Sequence, residues 1–222
     1  MNIDDVSGEI KVPENIISEI FAHQTELMNK YHVIEKKNGA LIPDAPWHID
    51  NHLVQYRIKD FFWRTTEEVC EALEVAEDIH SDWKSNWDTN ANIRHFMEEL
   101  SDALHFLVEA SIYAGLDINK LEDISLMILK RDVYNSICNL ESIKKECMNV
   151  IYHMGLAANA LKCKMWKNTH MPTDKIIFDT QLEQVWENFF QLWHSLFCNL
   201  EDVYMLYFRK NRVNLFRIKT NY

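Results

Sequence analysis

The sequence predicts an all-α protein, a multi-helix bundle, on three observations. Long runs place apolar residues at helical spacing. Only four Gly and four Pro occur in 222 residues, too few for the turns of a many-stranded sheet. A content of 47% hydrophobic and 12% aromatic residues is enough to fill a sizeable core. The chain reads as one domain over 1–222, with a first half at about 14–135 and a second at about 136–222.

Each element follows in order. Pro13 suits a helix start, and Ile16, Ile17, Ile20, Leu27 and Tyr31 follow at helical spacing, on a helix that also carries Gln24. Residues 33–53 break the period with Gly39, Pro43 and Pro46 around Trp47, giving a long loop with an aromatic that either packs down or serves as a lid. A second helix is expected from Leu53 to Ile79 and a third over Ile93–Ala114, with His80 to Asn92 as the connection and Gly115 as the stop. Beyond Asp117 the pattern predicts helices to Leu129, over Ile137–Lys162, over Asp174–Cys198 and over Leu200–Asn214.

Composition removes several functions. A formal net charge of −11 argues against a nucleic-acid partner, because such binding rests on Lys and Arg neutralising phosphates. No run of about 18 apolar residues exists, so no membrane partner is expected. The start, Met1-Asn2-Ile3-Asp4-Asp5, lacks a basic region followed by an apolar one. Cys70, Cys138, Cys147, Cys163 and Cys198 are odd in number and show no paired spacing, which suits reduced thiols in the cytoplasm.

The chemistry concentrates in the second and third helices. Glu68 and Glu71 are three apart, as are Glu99 and Asp102, and residues at that spacing share a helix face. Val69, Ala72 and Leu73 flank the first pair, and Leu100, Ala103 and Leu104 the second, so the carboxylates lie at the edge of an apolar stripe. Facing helices in a bundle build metal sites there, and hard oxygen ligands select Mg²⁺ or a similar cation. The competing reading is a solvated acidic face, since Glu is a good helix former in an acid-rich chain. Arg57, Lys59 and Arg64 lie upstream on the same helix, placed either to reach phosphates or to form surface pairs. His105, three beyond Asp102, either tunes the site or is simply hydrogen-bonded.

The second half echoes the first. Thr66–Leu73 aligns on Met154–Leu161, with Glu68 opposite Leu156 and Glu71 opposite Asn159, and Leu121–Ile124 aligns on Leu200–Val203. A degenerate tandem repeat of a helical unit and a chance likeness of amphipathic helices are both open. The last stretch, Tyr207 to Tyr222, is the most basic in the chain. Arg209, Lys210, Arg212, Arg217 and Lys219 with Asn211 and Asn214 offer the donors an anionic phosphate chain requires.

The order Glu68-x-x-Glu71, 27 residues, Glu99-x-x-Asp102, and then a terminal YxxKNxxNxxRxxxxY, resembles the all-α dimeric dUTPase and dCTP pyrophosphatase family, kin of the MazG-like nucleotide pyrophosphohydrolases. Phage enzymes of that group look similar. The resemblance implies Mg²⁺-dependent hydrolysis of a deoxynucleoside triphosphate, dUTP or dCTP, to monophosphate and pyrophosphate by a homodimer, in the host cytoplasm if phage-encoded. It implies that Glu68, Glu71, Glu99 and Asp102 bind metal, with Glu71 or Glu68 as the base. By the same resemblance Tyr207, Lys210, Asn211, Asn214, Arg217 and Tyr222 grip phosphates, and Gln24 and Trp47 meet the base. Met28, Ile218 and Asn221 depart from the family pattern and leave the choice of base open. A non-catalytic helical module that binds nucleotide or protein is the alternative.

Overall fold

The computed structural model describes residues 11–77, 91–129, 140–164, 166–168, 171–196 and 198–220. Among them are seven helices and no strand: α1 Ile16–Lys37, α2 His52–Glu77, α3 Ala91–Ala114, α4 Ile118–Leu129, α5 Leu140–Ala160, α6 Lys175–Ser195 and α7 Leu200–Thr220. Of the expected connection His80 to Asn92, residues 80–90 lie outside the described residues, as do Cys138 and Tyr222, while 91 and 92 already belong to α3.

Local chemistry explains the boundaries. Asn51 Oδ1 accepts the Leu53 N–H, Asp117 Oδ1 accepts that of Asn119, and Asp174 Oδ1 that of Ile177, so short polar side chains cap α2, α4 and α6. Asn199 and Asp202 cap each other's backbone N–H groups at the head of α7. Gly115 ends α3 with φ +67°, donating to Ile112 O while Leu116 donates to Ser111 O. Gly39 does the same for α1 at φ +89°. Both are glycine stops in which a left-handed residue lets the chain satisfy the last carbonyls.

Several expected boundaries move. Helix α1 starts at Ile16, three residues after Pro13, and runs on to Lys37, because nothing before Gly39 breaks it and Glu35 in its last turns gains a partner on α2. Helix α6 stops at Ser195, short of Cys198. The largest change is α7, which was expected to end at Asn214 and continues to Thr220. No Gly or Pro interrupts it, and Arg217 and Lys219 complement the negative end of the helix dipole. The basic segment is therefore helical, with Lys210 and Arg217 on one face and Arg209, Arg212 and Lys219 turned away from it.

Buried residues from all seven helices form one cluster. Helix α6 feeds it with Phe178, Leu182, Val185, Trp186, Phe189, Phe190, Leu192 and Trp193, all buried along one broad face. The Trp186 indole donates to Ser111 Oγ at 3.0 Å and so ties α6 to α3. Helices α2 and α3 pack most extensively on each other, as do α5 and α6. The sequence echo places α2 on α5 and α4 on α7. Helix α7 lies against α1 and α3, which brings Lys210 onto Asp102 beside the α2–α3 contact.

Gln55 holds two loops to this frame. It is fully buried, accepts the Cys163 N–H at 2.9 Å, and donates to Ile49 O at 2.8 Å and Thr173 Oγ1 at 3.0 Å. Replacing it with Ala strands a buried donor and acceptor, so Gln55→Ala is expected to cost about 2–3 kcal/mol of stability in urea denaturation. A loss below about 0.5 kcal/mol would mean that the loops find other partners.

Candidate active site

Helices α2 and α3 approach through small and apolar residues. Val69, Ala72, Leu100 and Ala103 are completely buried between or beneath them, and the acids one position away are carried to the rim. The phase of the apolar stripe thus decides where the charges go. Glu68, Glu71 and Glu99 each bring a carboxylate oxygen within 4.8 Å of the others. Asp102 lies beside this group, and Lys210 Nζ of α7 donates to its Oδ2 in a pair whose side chains are 15% and 21% exposed.

The charges are strained by their own proximity. Burial first, then Asp102, Glu71 and Glu99, push the Glu68 carboxyl up to about 8, and Glu99 hydrogen-bonds to it. Burial also raises Asp102 above the usual carboxylate range despite the opposing Lys210 and Arg217. Three hard oxygens this close, one holding a proton near neutrality, fit a divalent cation that would replace the proton. Glu71 is exposed and the other two glutamates are half-buried, so the cluster opens to solvent. His95, which nothing in the sequence singled out, lies 2.7 Å from Glu99 Oε1 through its Nε2.

Helix α7 presents Tyr207, Lys210, Asn211, Asn214 and Arg217 at spacings of three and four, which is one face of a helix. Tyr207 and Asn211 are buried, Lys210 and Asn214 half-buried, and Arg217 exposed. Tyr207 donates its hydroxyl to Gln24 Oε1 at 2.8 Å and lies 3.2 Å from Ile20 O, while Asn211 Nδ2 donates to the Tyr207 oxygen at 3.3 Å. Gln24 is fully buried and donates from Nε2 to Glu109 Oε1 at 2.7 Å. Its amide is thus held at both ends by protein groups, which orients it.

His105 stacks on Tyr207 with ring centroids 4.4 Å apart, and its Nδ1 donates to Ser101 O at 2.8 Å. Burial pushes its pKa down to about 4, so the ring is neutral, and its Nε2 is buried without a partner. Trp47 is half-buried, donates to Pro43 O at 3.2 Å and packs on Tyr113 at 4.7 Å. Tyr113 also stacks on Phe61. The three cations of α2 do not reach the cluster. Arg57 forms a two-pronged pair with Glu35, Lys59 donates to Cys163 O, and Arg64 pairs with Asp60 at the surface.

Glu109 gave no signal in the sequence, because its partner Gln24 is 85 residues away. It is 7% exposed, and burial lifts its carboxyl to about 7 despite the opposing Gln24 and Arg57. Glu35 raises it further, and Arg64 lowers it.

Helical bundles that gather carboxylates on facing helices and bring cations over them are suited to phosphate-bearing ligands and their metal, and the chain is an enzyme of the nucleotide pyrophosphohydrolase class. It belongs to the all-α dimeric dUTPase family: the family model described as dUTPase matches residues 16–222, from the first turn of α1 to the last residue of the sequence. No curated protein and no solved structure matches. No helix among the described residues is long and apolar enough to cross a membrane.

Glu109 makes a pH prediction. A carboxyl whose pKa is raised on folding stabilises the fold below its unfolded value, here 4.5, and loses that contribution as pH rises through about 7. Glu109→Gln keeps the acceptor for Gln24 without the titration. Between pH 6 and pH 8 the wild type should lose roughly 1 kcal/mol relative to Glu109→Gln. Urea denaturation of both proteins measures this, and the comparison cancels the opposite slope of His105, which gains stability as pH rises between about 4 and 6.5. A constant difference across that range would place Glu109 in contact with water.

Proposed function

We propose that the chain hydrolyses dUTP to dUMP and pyrophosphate with Mg²⁺, with dCTP the nearest rival substrate, as a homodimer in which residues 1–222 act as one domain. The observation that carries this reading is the meeting of the three glutamates and Asp102 with Lys210 of α7. It joins a cation-binding set to a phosphate-binding helix in a chain of the dUTPase family.

Glu68, Glu71, Glu99 and Asp102 would hold the cation. Bound there, Mg²⁺ supplies Lewis-acid chemistry at phosphate oxygens and makes water a stronger nucleophile. Glu71, the exposed member, is placed to take the proton of the attacking water, and Glu68 is its alternate. Lys210 and Arg217 oppose the charge that develops on the departing pyrophosphate. Tyr207 and Asn211 act from beneath, fixing the face of α7 that carries Lys210, while Asn214 and Tyr222 extend the phosphate contacts. Beyond its two bonds Gln24 keeps one N–H and one lone pair, which complement a pyrimidine edge. Trp47, packed on Tyr113, would cover the base.

The test is release of pyrophosphate from dUTP, dCTP, dATP, dGTP and dTTP with Mg²⁺. Turnover is expected with dUTP, and Glu71→Gln should lower it by about a hundredfold or more with the helical circular dichroism unchanged. A folded protein that releases nothing from any of the five overturns the enzymatic reading. Activity of Glu71→Gln within about twofold of wild type removes Glu71 from the chemistry.

A further inference from the structure

Lys210 has one ammonium and two anions to serve. It donates to Asp102 Oδ2 in a pair mostly out of water, and the reading above also gives it to the triphosphate. Asp102 likewise stands between two roles. It is the carboxylate that acts most strongly on Glu68, yet its oxygen is turned toward α7 and lies outside the set of three mutually close glutamate oxygens.

A lysine is a point charge on a flexible four-carbon stem, with no lone pair to coordinate a metal. An ammonium on Asp102 Oδ2 takes up the negative charge of that carboxylate and repels a second cation beside it, so the lysine and a divalent cation compete for Asp102. The backbone of α7 is pinned one turn earlier by Tyr207 on Gln24 and Ile20, and by Asn211 on Tyr207. The ammonium can swing while the helix stays in place.

We propose that Lys210 is a resident counter-ion that competes with the divalent cation for Asp102, so that the site fills in two stages. Glu68, Glu71 and Glu99 accept a cation while Lys210 holds Asp102. Asp102 joins the metal only when the phosphate chain draws Lys210 away. Metal and triphosphate are thereby coupled through one side chain, each favouring the other by occupying one half of the ion pair. This inference rests on the metal-dependent reading of the site.

Binding of Mn²⁺ alone, measured by calorimetry on wild type, Lys210→Met, Asp102→Asn and the double variant, tests it. Lys210→Met should bind Mn²⁺ roughly tenfold more tightly than wild type, and the gain should fall below about twofold when Asp102 is already replaced by Asn. Binding of dUTP in excess chelator gives the other half of the cycle. Asp102→Asn should tighten it more in the wild-type background than in the Lys210→Met background, because only the lysine is released. Lys210→Met that binds Mn²⁺ no more tightly than wild type overturns the handover and leaves the metal site standing. A wild type that binds no Mn²⁺ at millimolar concentration overturns the metal reading and the handover together. Where Lys210→Met fails to fold, Lys210→Gln serves in the same cycle.

Discussion

Mutual repulsion among carboxylates that the core will not allow to separate is the constraint on which the rest depends. Val69, Ala72, Leu100 and Ala103 are wholly buried at the α2–α3 contact, and a close-packed contact does not relax to relieve charges at its edge. Glu68, Glu71, Glu99 and Asp102 must therefore meet. Relief can come from a proton, as on Glu68, from an ammonium, as on Asp102, or from a cation. All three act at the same place because the apolar packing has fixed that place. Stability is given up there, as is common where a fold holds a functional site.

The register of α7 is set by a buried polar chain. Asn211, Tyr207, Gln24 and Glu109 link α7 to α1 and α1 to α3 through side chains almost out of water. Buried donors and acceptors must be paired, so a slip of one helical turn would leave the Tyr207 hydroxyl and the Gln24 amide without partners. Hydrophobic contacts alone, such as Phe208 against His23 at 5.0 Å, would tolerate a small rotation far better. The position of Lys210 over Asp102 follows from the polar chain one turn away.

What could be read from the sequence was local. The two acidic pairs and the stripe beside them lie within single helices, and helical spacing brings their side chains together whatever the rest of the chain does. The glycine stop at Gly115 was legible for the same reason. Glu109 and Gln55 were not, because nothing near them in sequence marks residues whose partners lie 85 and 108 positions away. For Arg57 and Lys59 the sequence left phosphate contacts and surface pairs both open, and tertiary packing supplies the partners: Glu35 takes up one and a backbone carbonyl the other. The helix beyond Asn214 was not legible, because a run of basic and polar residues shows no apolar period to mark it; in the structure Tyr207, Lys210, Asn211, Asn214 and Arg217 lie on one stripe.

Helix α3 orders the site along its length. Asp102 at one level meets Lys210, His105 one turn on stacks under Tyr207, and Glu109 two turns on meets Gln24. Seven residues of helix span roughly 10 Å. Over that distance the side chains change from a charged pair, through a neutral aromatic ring, to a dry carboxyl and amide. A ligand that is anionic at one end and a planar hydrogen-bonding group at the other matches this gradient in one orientation. Reversed, its phosphates would face the buried Glu109, where desolvation already disfavours charge. Orientation then follows from the gradient of polarity along a single rigid helix, before any individual contact is counted, and a nucleoside triphosphate is a ligand of that description.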